Sequence, residues 1–82
     1  MDKKTFIKIN LAEAGAHIDE ALKKYKSENN NLTDFETDVQ HIISHLYMVY
    51  NSRKLTDEEL NDLYEKDYKK LGETPDDLYL LG

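Results

Sequence analysis

The stretch "TDFETDVQHIISHLYMVYNSRKLTDEEL", residues 33–60, decides the fold because it contains two helix starts and a chain reversal. "TDFE" and "TDEE" both match a capping box, in which the threonine side chain accepts from the N3 amide and the N3 glutamate accepts from the cap amide. Between them, apolar residues recur at helical spacing from Phe35 to Tyr50. The stretch therefore predicts a helix over 34–52, a short connection, and a further helix that starts at residue 57.

The segments on either side predict the remaining elements. A first helix is expected over 3–27, although "TFIKIN" alternates like a strand and "NLAE", residues 10–13, offers a later start. The helix that starts at 57 is expected to run to residue 71 and to end at Gly72 in the left-handed conformation. "TPDD" then predicts a short helical turn over 75–80.

Each helix carries an apolar stripe that we expect to form the core. Because the connections are short, consecutive helices must run antiparallel. The predicted fold is all-α and a single domain over 1–82, an antiparallel up-down-up three-helix bundle with a short C-terminal helical turn packed on it. The expected core residues are Ile7, Leu11, Ala14, Ile18, Ala21, Leu22 and Tyr25 in the first helix; Phe35, Val39, Ile42, Ile43, Leu46, Val49 and Tyr50 in the second; and Leu60, Leu63, Tyr64, Tyr68 and Leu71 in the third.

The composition limits the classes of function. The 82 residues carry a formal net charge of −6 and no cysteine, which excludes disulfides and thiolate metal sites. No apolar run approaches the roughly 18–20 residues that a membrane span needs, so we expect a soluble protein without a membrane partner. For a small domain without cysteine, a cytoplasmic location is the default expectation. An acidic chain repels nucleic-acid phosphate, so we expect no direct nucleic-acid partner, and attraction by charge would favour a protein with a basic surface.

The acids of the C-terminal third are either the solvent-facing side of a helix or a binding surface. Glu58, Asp62 and Glu65 lie on the third helix, where Asp62 forms an i, i+4 pair with Lys66. A nucleic-acid mimic needs uninterrupted rows of carboxylates, and lysines break this row, so the solvated-face interpretation is favoured. Asp67 differs because it falls within the apolar stripe, where it needs a partner from this chain or from another protein.

The first helix has a second apolar face that its core stripe does not use. Ile9, Ala12 and Ala16 lie opposite the stripe, with Phe6 at one edge. The predicted helix is about 37 Å long and exceeds the other two, so its first turns should overhang the bundle. Exposed apolar overhangs are typical of association. Unless "DDLYLLG" at the C-terminus covers this face, we expect a partner or a second copy to bind there, giving a homodimer through the first helix in the latter case.

Two side chains of the second helix are further candidate contacts. Tyr47 and Met48 are expected to project from its opposite sides. Aromatic residues and methionine are enriched in protein interfaces. Single exposed apolar residues are also common on ordinary surfaces, so neither side chain alone identifies an interface.

Two histidines of the second helix are candidate metal ligands. His41 and His45 are spaced by one helical turn, and Asp38 lies one turn before His41 as a third ligand. An ordinary solvated flank also accounts for both histidines, so no metal or other cofactor is predicted, and His17 carries no inference. The chain has no cysteine, no glycine-rich phosphate loop and little room for a pocket, so no catalytic residue and no enzymatic activity are predicted.

These features favour a non-enzymatic protein-binding module, a small acidic helical bundle that inhibits or neutralises another protein. The hypothesis is by analogy with the small inhibitors, antitoxins and immunity proteins of phages and mobile elements, and no matched motif supports it. The alternative is a nucleic-acid-mimicking decoy that blocks a DNA- or RNA-binding protein such as a nuclease. A third hypothesis is a metal-binding bundle that uses His41 and His45.

Overall fold

The described part of the chain forms three α-helices followed by one 3₁₀ turn. The structure, a computed structural model, describes residues 1–26 and 31–79, and these ranges contain no strand. The prediction of an all-α fold is confirmed, while residues 27–30 of the predicted connection "SENNN", 27–31, and residues 80–82 lie outside the described residues. None of the described helices is long and apolar enough to cross a membrane. The elements are α1 (Lys3–Tyr25), α2 (Leu32–Ser52), α3 (Asp57–Lys66) and the 3₁₀ turn (Tyr68–Gly72).

Helix α1 begins at Lys3 because Asp2 caps it. The Asp2 backbone is extended, and its carboxylate accepts a hydrogen bond from the Thr5 amide at 2.7 Å. This hydrogen bond from the backbone lowers the pKa of Asp2 below its ordinary value. The alternative start at Asn10 is therefore wrong, and Asn10 lies buried within the helix.

The caps of α2 and α3 agree only in part with the sequence. Helix α2 begins two residues earlier than predicted, because the Asn31 side chain accepts from the amides of Thr33 and Asp34 at 2.8 and 3.3 Å. Thr33 is therefore not the cap, and asparagine is at least as favourable there. At α3, Thr56 and Glu59 form the predicted capping box, with reciprocal bonds of 3.1 and 3.0 Å.

Helix α3 ends at Lys66, well before the predicted end at residue 71. At Asp67 the backbone leaves the helical region, with φ −154° and ψ 69°. The 3₁₀ turn follows and brings Leu71 into a fully buried position, so tertiary packing compensates the lost helical turn. Gly72 does not have a positive φ, so the predicted left-handed end is wrong. The predicted helical turn over 75–80 is a simple turn at 76–77.

Contacts along the helices give their directions. The Lys3 ammonium donates to the Arg53 carbonyl at 3.1 Å, and Lys24, near the other end of α1, pairs with Asp38 at 3.0 Å. Helices α1 and α2 are therefore antiparallel. The Lys3 amide also donates to the Asp57 carboxylate at 2.8 Å, which places the start of α1 beside the start of α3. These contacts agree with the predicted up-down-up order.

The core lies where α3 and the 3₁₀ turn pack against one side of the α1–α2 pair. Each of the four elements contributes one buried apolar side chain to it. The ring of Tyr64 meets one of them, Phe6, edge-on at 6.3 Å between centroids. The buried members are Phe6, Met48, Leu60 and Leu71, and Leu55 and Leu63 pack against them.

The segment after the 3₁₀ turn is held against α2 by polar contacts. The side-chain amide of Asn51 donates to the carbonyls of Leu71 and Glu73, both at 2.8 Å. Farther along, the Asp77 carboxylate accepts from Arg53 at 2.6 Å, and this bond lowers the pKa of Asp77. The C-terminal segment therefore crosses the C-terminal end of α2, where its polar contacts fall on residues 50–54.

Candidate functional site

An apolar surface lies on the side of α1 and α2 away from the core. Six large side chains there are between 40% and 65% exposed, although their periodicity predicts them as core. That prediction is wrong for these residues. We call this surface the hairpin face; it consists of Leu11, Ile18, Leu22 and Tyr25 of α1 and Phe35, Ile42, Ile43, Leu46, Val49 and Tyr50 of α2.

Two apolar grooves mark the hairpin face. The first lies between the helices, near the end where the rings of Tyr25 and Phe35 approach to 5.6 Å. The second follows α2 and is bordered by Leu78 of the C-terminal segment. The first is lined by Ile18, Ala21, Leu22, Tyr25, Phe35 and Ile42, and the second by Ile43, Leu46, Tyr47, Val49, Tyr50, Arg53 and Leu78.

Small and polar side chains between α1 and α2 explain why the large ones face outward. Ala14, Ala21 and Asn10 are the buried residues of the middle of α1. Small residues let two helices approach closely, and larger side chains then flank the contact instead of filling it. Helix α3 has ten residues and covers the opposite side of the pair. The hairpin face is therefore left without a covering helix among the described residues.

The accessible surface is larger than expected for a folded monomer of this mass. It amounts to 6339 Å², against about 5,100 Å² expected at 9.6 kDa. An elongated shape of 47 × 26 × 21 Å contributes to this difference of roughly 1,200 Å². No protein-family model, curated protein or solved structure matches this chain. Its function is therefore inferred from the placement of its own side chains.

The predicted contact face at the start of α1 is present only in part. Ile9, Ala12 and Ala16 are exposed, as expected. Phe6 is 3% exposed, because α3 and the 3₁₀ turn enclose the first turns of α1. The predicted overhang with Phe6 unburied is therefore wrong. The role of Ile9, Ala12 and Ala16 in partner binding stays a prediction.

Of the two predicted contact residues of α2, one is buried and one reaches the candidate surface. Met48 is 8% exposed and belongs to the core, where the Tyr68 hydroxyl lies 3.6 Å from its sulfur. Its expected exposure is wrong, because the sequence does not reveal that the 3₁₀ turn packs on that side of α2. Tyr47 is half-buried and lines the second groove. Tyr47 is thus the member of this pair that reaches the candidate surface.

The acids of α3 lie on its solvent-facing side. Glu58, Asp62 and Glu65 are all exposed, and Asp62 forms the predicted pair with Lys66 at 2.7 Å. This contact raises the pKa of Lys66. Asp67 is exposed as well, because α3 ends before it, so its expected place in an apolar stripe is wrong. A role of these acids in binding a partner stays a prediction.

Asp38 does not join the histidines of α2. Its carboxylate is buried and lies 3.0 Å from the Lys24 ammonium of α1. The hydrogen bond between them raises the pKa of Lys24. Asp38 therefore balances a charge between the helices, and the predicted ligand set of Asp38, His41 and His45 does not assemble.

Three histidine rings instead meet across α1 and α2. The His17 ring lies 5.0 Å from that of His41 and 5.5 Å from that of His45, between centroids. Glu13 lies one turn before His17, and the donor atoms of Glu13, His17 and His45 are all within 4.8 Å of one another. The sequence holds a signal for this cluster: both pairs have i, i+4 spacing and lie equally far from the predicted connection at 27–31. His17 carries no signal within its own helix, because its match to His41 follows only from the antiparallel register of α1 and α2.

Asn10 fixes the orientation of the His45 ring. The Asn10 amide nitrogen donates to the Phe6 carbonyl at 2.9 Å, so its oxygen points toward His45, 2.8 Å from Nδ1. Because this oxygen accepts, Nδ1 carries the proton and the lone pair of Nε2 is free. Burial lowers the pKa of His45, and positive charge on His17 acts in the same direction. Both effects favour the neutral form of His45.

Proposed function

We propose that this chain is a non-enzymatic protein-binding module that acts by packing its hairpin face against another protein. The observation that supports the proposal is that six large apolar side chains of the hairpin face, on α1 and α2, are between 40% and 65% exposed. Monomeric proteins rarely expose contiguous apolar patches of more than a few hundred Å². A second protein that covers the hairpin face would remove this surface from water.

The grooves indicate the chemistry of the partner. Both are lined almost entirely by apolar side chains, and Arg53 at the edge of the second is already engaged by Asp77. A helix or another apolar ridge fits a groove between two helices, since helices pack about 8–10 Å apart with ridges in grooves. The partner surface that we propose is therefore apolar and helical. A basic surrounding surface stays a prediction from the net charge of −6.

Inhibition of the bound protein is part of the proposal. An interface of standard size covers about 800 Å² of the partner. A bound bundle of this mass would therefore block any active or recognition surface that lies beneath it. The polar groups that the structure brings together are the histidine cluster and charge pairs, and we assign no catalytic step to them.

A matched pair of isoleucines on α1 tests which surface binds. Ile18 lies in the hairpin face and Ile9 in the face predicted from sequence, and their exposed fractions are similar at 42% and 47%. Ile18→Glu and Ile9→Glu therefore place the same charge at comparable depth on different sides of one helix. Circular dichroism should show the same helicity for both variants and the wild type.

The readouts are molar mass by light scattering over a range of concentrations and capture of partners by tagged protein from the native host. We expect the uncovered hairpin face to make the wild-type chain self-associate as concentration rises. Ile18→Glu should remain monomeric and lose captured partners, whereas Ile9→Glu should behave as the wild type. The reverse pattern would assign binding to the Ile9 face. A wild-type chain that stays monomeric and captures the same proteins as Ile18→Glu would contradict the proposal.

A further inference from the structure

The histidine cluster has the composition of a transition-metal site. Glu13 and His17 project from successive turns of α1, and His45 projects toward them from α2. Imidazole nitrogen with one carboxylate oxygen is a donor set that suits Zn²⁺ and its neighbours in the first transition row, whereas Mg²⁺ and Ca²⁺ prefer oxygen donors. The set therefore selects a class of ion by its chemistry.

The surroundings of His45 match those of a metal-bound histidine. Ligand histidines usually donate their second ring N–H to a carboxylate or carbonyl oxygen, which sets the tautomer and holds the ring. Here Asn10 provides that oxygen at 2.8 Å, and Asn10 is itself buried and held by the Phe6 carbonyl. The free Nε2 of His45 thus has a fixed direction before any ion binds.

The distances allow an ion to bind with small side-chain movements. A tetrahedral Zn²⁺ about 2.0–2.1 Å from each donor separates its ligands by about 3.3–3.4 Å. The donor atoms of Glu13, His17 and His45 lie within 4.8 Å of one another, so they must approach by at most about 1.5 Å. Glu13 is exposed and His17 is partly exposed, so both can change rotamer without disturbing the core.

We propose that Glu13, His17 and His45 bind one divalent transition-metal ion of the Zn²⁺ type across α1 and α2. The fourth position of a tetrahedral ion remains open to water, on a surface that the exposed His41 ring borders. Because the ligands come from both helices, the ion ties α1 to α2 at the middle of the hairpin. Binding to the folded state alone raises stability by mass action.

A titration of the full chain with Zn²⁺ tests the site. We expect calorimetry to give one ion per chain and the melting temperature to rise until one equivalent is bound, with both effects reversed by a chelator. Co²⁺ in place of Zn²⁺ should give the visible absorption of a four-coordinate ion. Mg²⁺ at the same concentration should produce neither effect.

Variants separate the cross-helix site from simpler alternatives. His17→Ala and His45→Ala should each weaken Zn²⁺ binding by at least about tenfold, the lower end of the loss seen even for outer-shell partners. Glu13→Gln should weaken it too, whereas Glu20→Gln, which changes another exposed glutamate of α1, is the matched control and should not. Circular dichroism without metal verifies that each variant folds.

Two results would overturn the proposal. One is the absence of saturable Zn²⁺ binding by the wild-type chain. The other is binding that survives His17→Ala but is lost in His41→Ala, because the ion would then be held by the i, i+4 pair of α2 without α1. Neither result bears on the hairpin face, so this site can fail while the proposed protein binding stands.

Discussion

Truncation of two leucines, Leu22→Ala and Leu60→Ala, should have very different costs if the hairpin face is open. Leu60 is 1% exposed in the core, and Leu22 is 53% exposed on α1. Loss of a buried leucine leaves a cavity and typically costs about 2–5 kcal/mol. The Leu22→Ala substitution removes three side-chain carbons that are only about half buried and leaves no cavity. At about 0.8 kcal/mol for each fully buried carbon, the loss of unfolding free energy is about 1 kcal/mol.

The assay is urea denaturation followed by circular dichroism at low protein concentration, where the chain is monomeric. A chain of this length has a total stability of about 4–12 kcal/mol, so a difference of about 2 kcal/mol between the variants is readily resolved. The dependence on denaturant should be the same for both, since the same surface is exposed on unfolding. At high concentration the cost of Leu22→Ala should grow, because association buries that side chain.

Equal costs for the two variants in the dilute monomer would refute the reasoning. Leu22 would then be enclosed within a single chain, and the hairpin face would be part of the core. A cost at Leu22 that does not change with concentration would show that self-association does not use this face.

Three further outcomes follow from the caps, the histidines and the acids. Thr56→Ala should lower the unfolding free energy by about 1 kcal/mol, measured by urea denaturation, because the amide of Glu59 loses its partner. With a chelator present, stability should fall as pH drops through about 6.5, because unfolding restores the ordinary proton affinity of His45; urea midpoints at pH 7.5 and 5.5 should converge in His45→Gln. Charge reversal of the α3 acids should leave partner binding by the hairpin face unchanged, whereas abolished binding with steep salt dependence would support a nucleic-acid-mimicking decoy; the residues to reverse are Glu58, Asp62 and Glu65.

Local sequence signals predicted the helices well. Capping residues lie within a few positions of each start, and the box at Thr56 and Glu59 has the expected hydrogen bonds. These signals succeed because caps and periodicity act over four or five neighbouring residues. The predicted end of α3 is wrong because it depends on the burial of Leu71, which packs against residues that are distant in sequence.

The side of each helix that is buried could not be predicted from periodicity. An apolar stripe identifies a face that is favourable to cover, but the cover can belong to the same chain or to another. In α1 the residues that meet α2 are small or polar, such as Ala14 and Asn10, and they are interleaved with the large apolar side chains of the hairpin face. A pattern based on hydrophobicity gives the larger side chains more weight.

The histidine cluster is not predicted from single helices, because it depends on the register between α1 and α2. The sequence determines that register once the topology is known. Two helices that reverse at a short connection place residues at equal distance from it opposite each other. That rule joins His17 to His41, and the i, i+4 spacing then adds Glu13 and His45. Asp38 does not join the histidine cluster, because its carboxylate pairs with the Lys24 ammonium.

The placement of the C-terminal segment has a chemical consequence at Asn51. Both protons of its amide group are directed at main-chain oxygens, those of Leu71 and Glu73. Hydrolysis of this amide, equivalent to Asn51→Asp, keeps the size of the side chain but replaces the donor nitrogen with a carboxylate oxygen. That oxygen then faces two carbonyl oxygens, and none of the three can donate a hydrogen bond. Deamidation of Asn51 would therefore repel the segment that follows the 3₁₀ turn and uncover the groove that Leu78 borders.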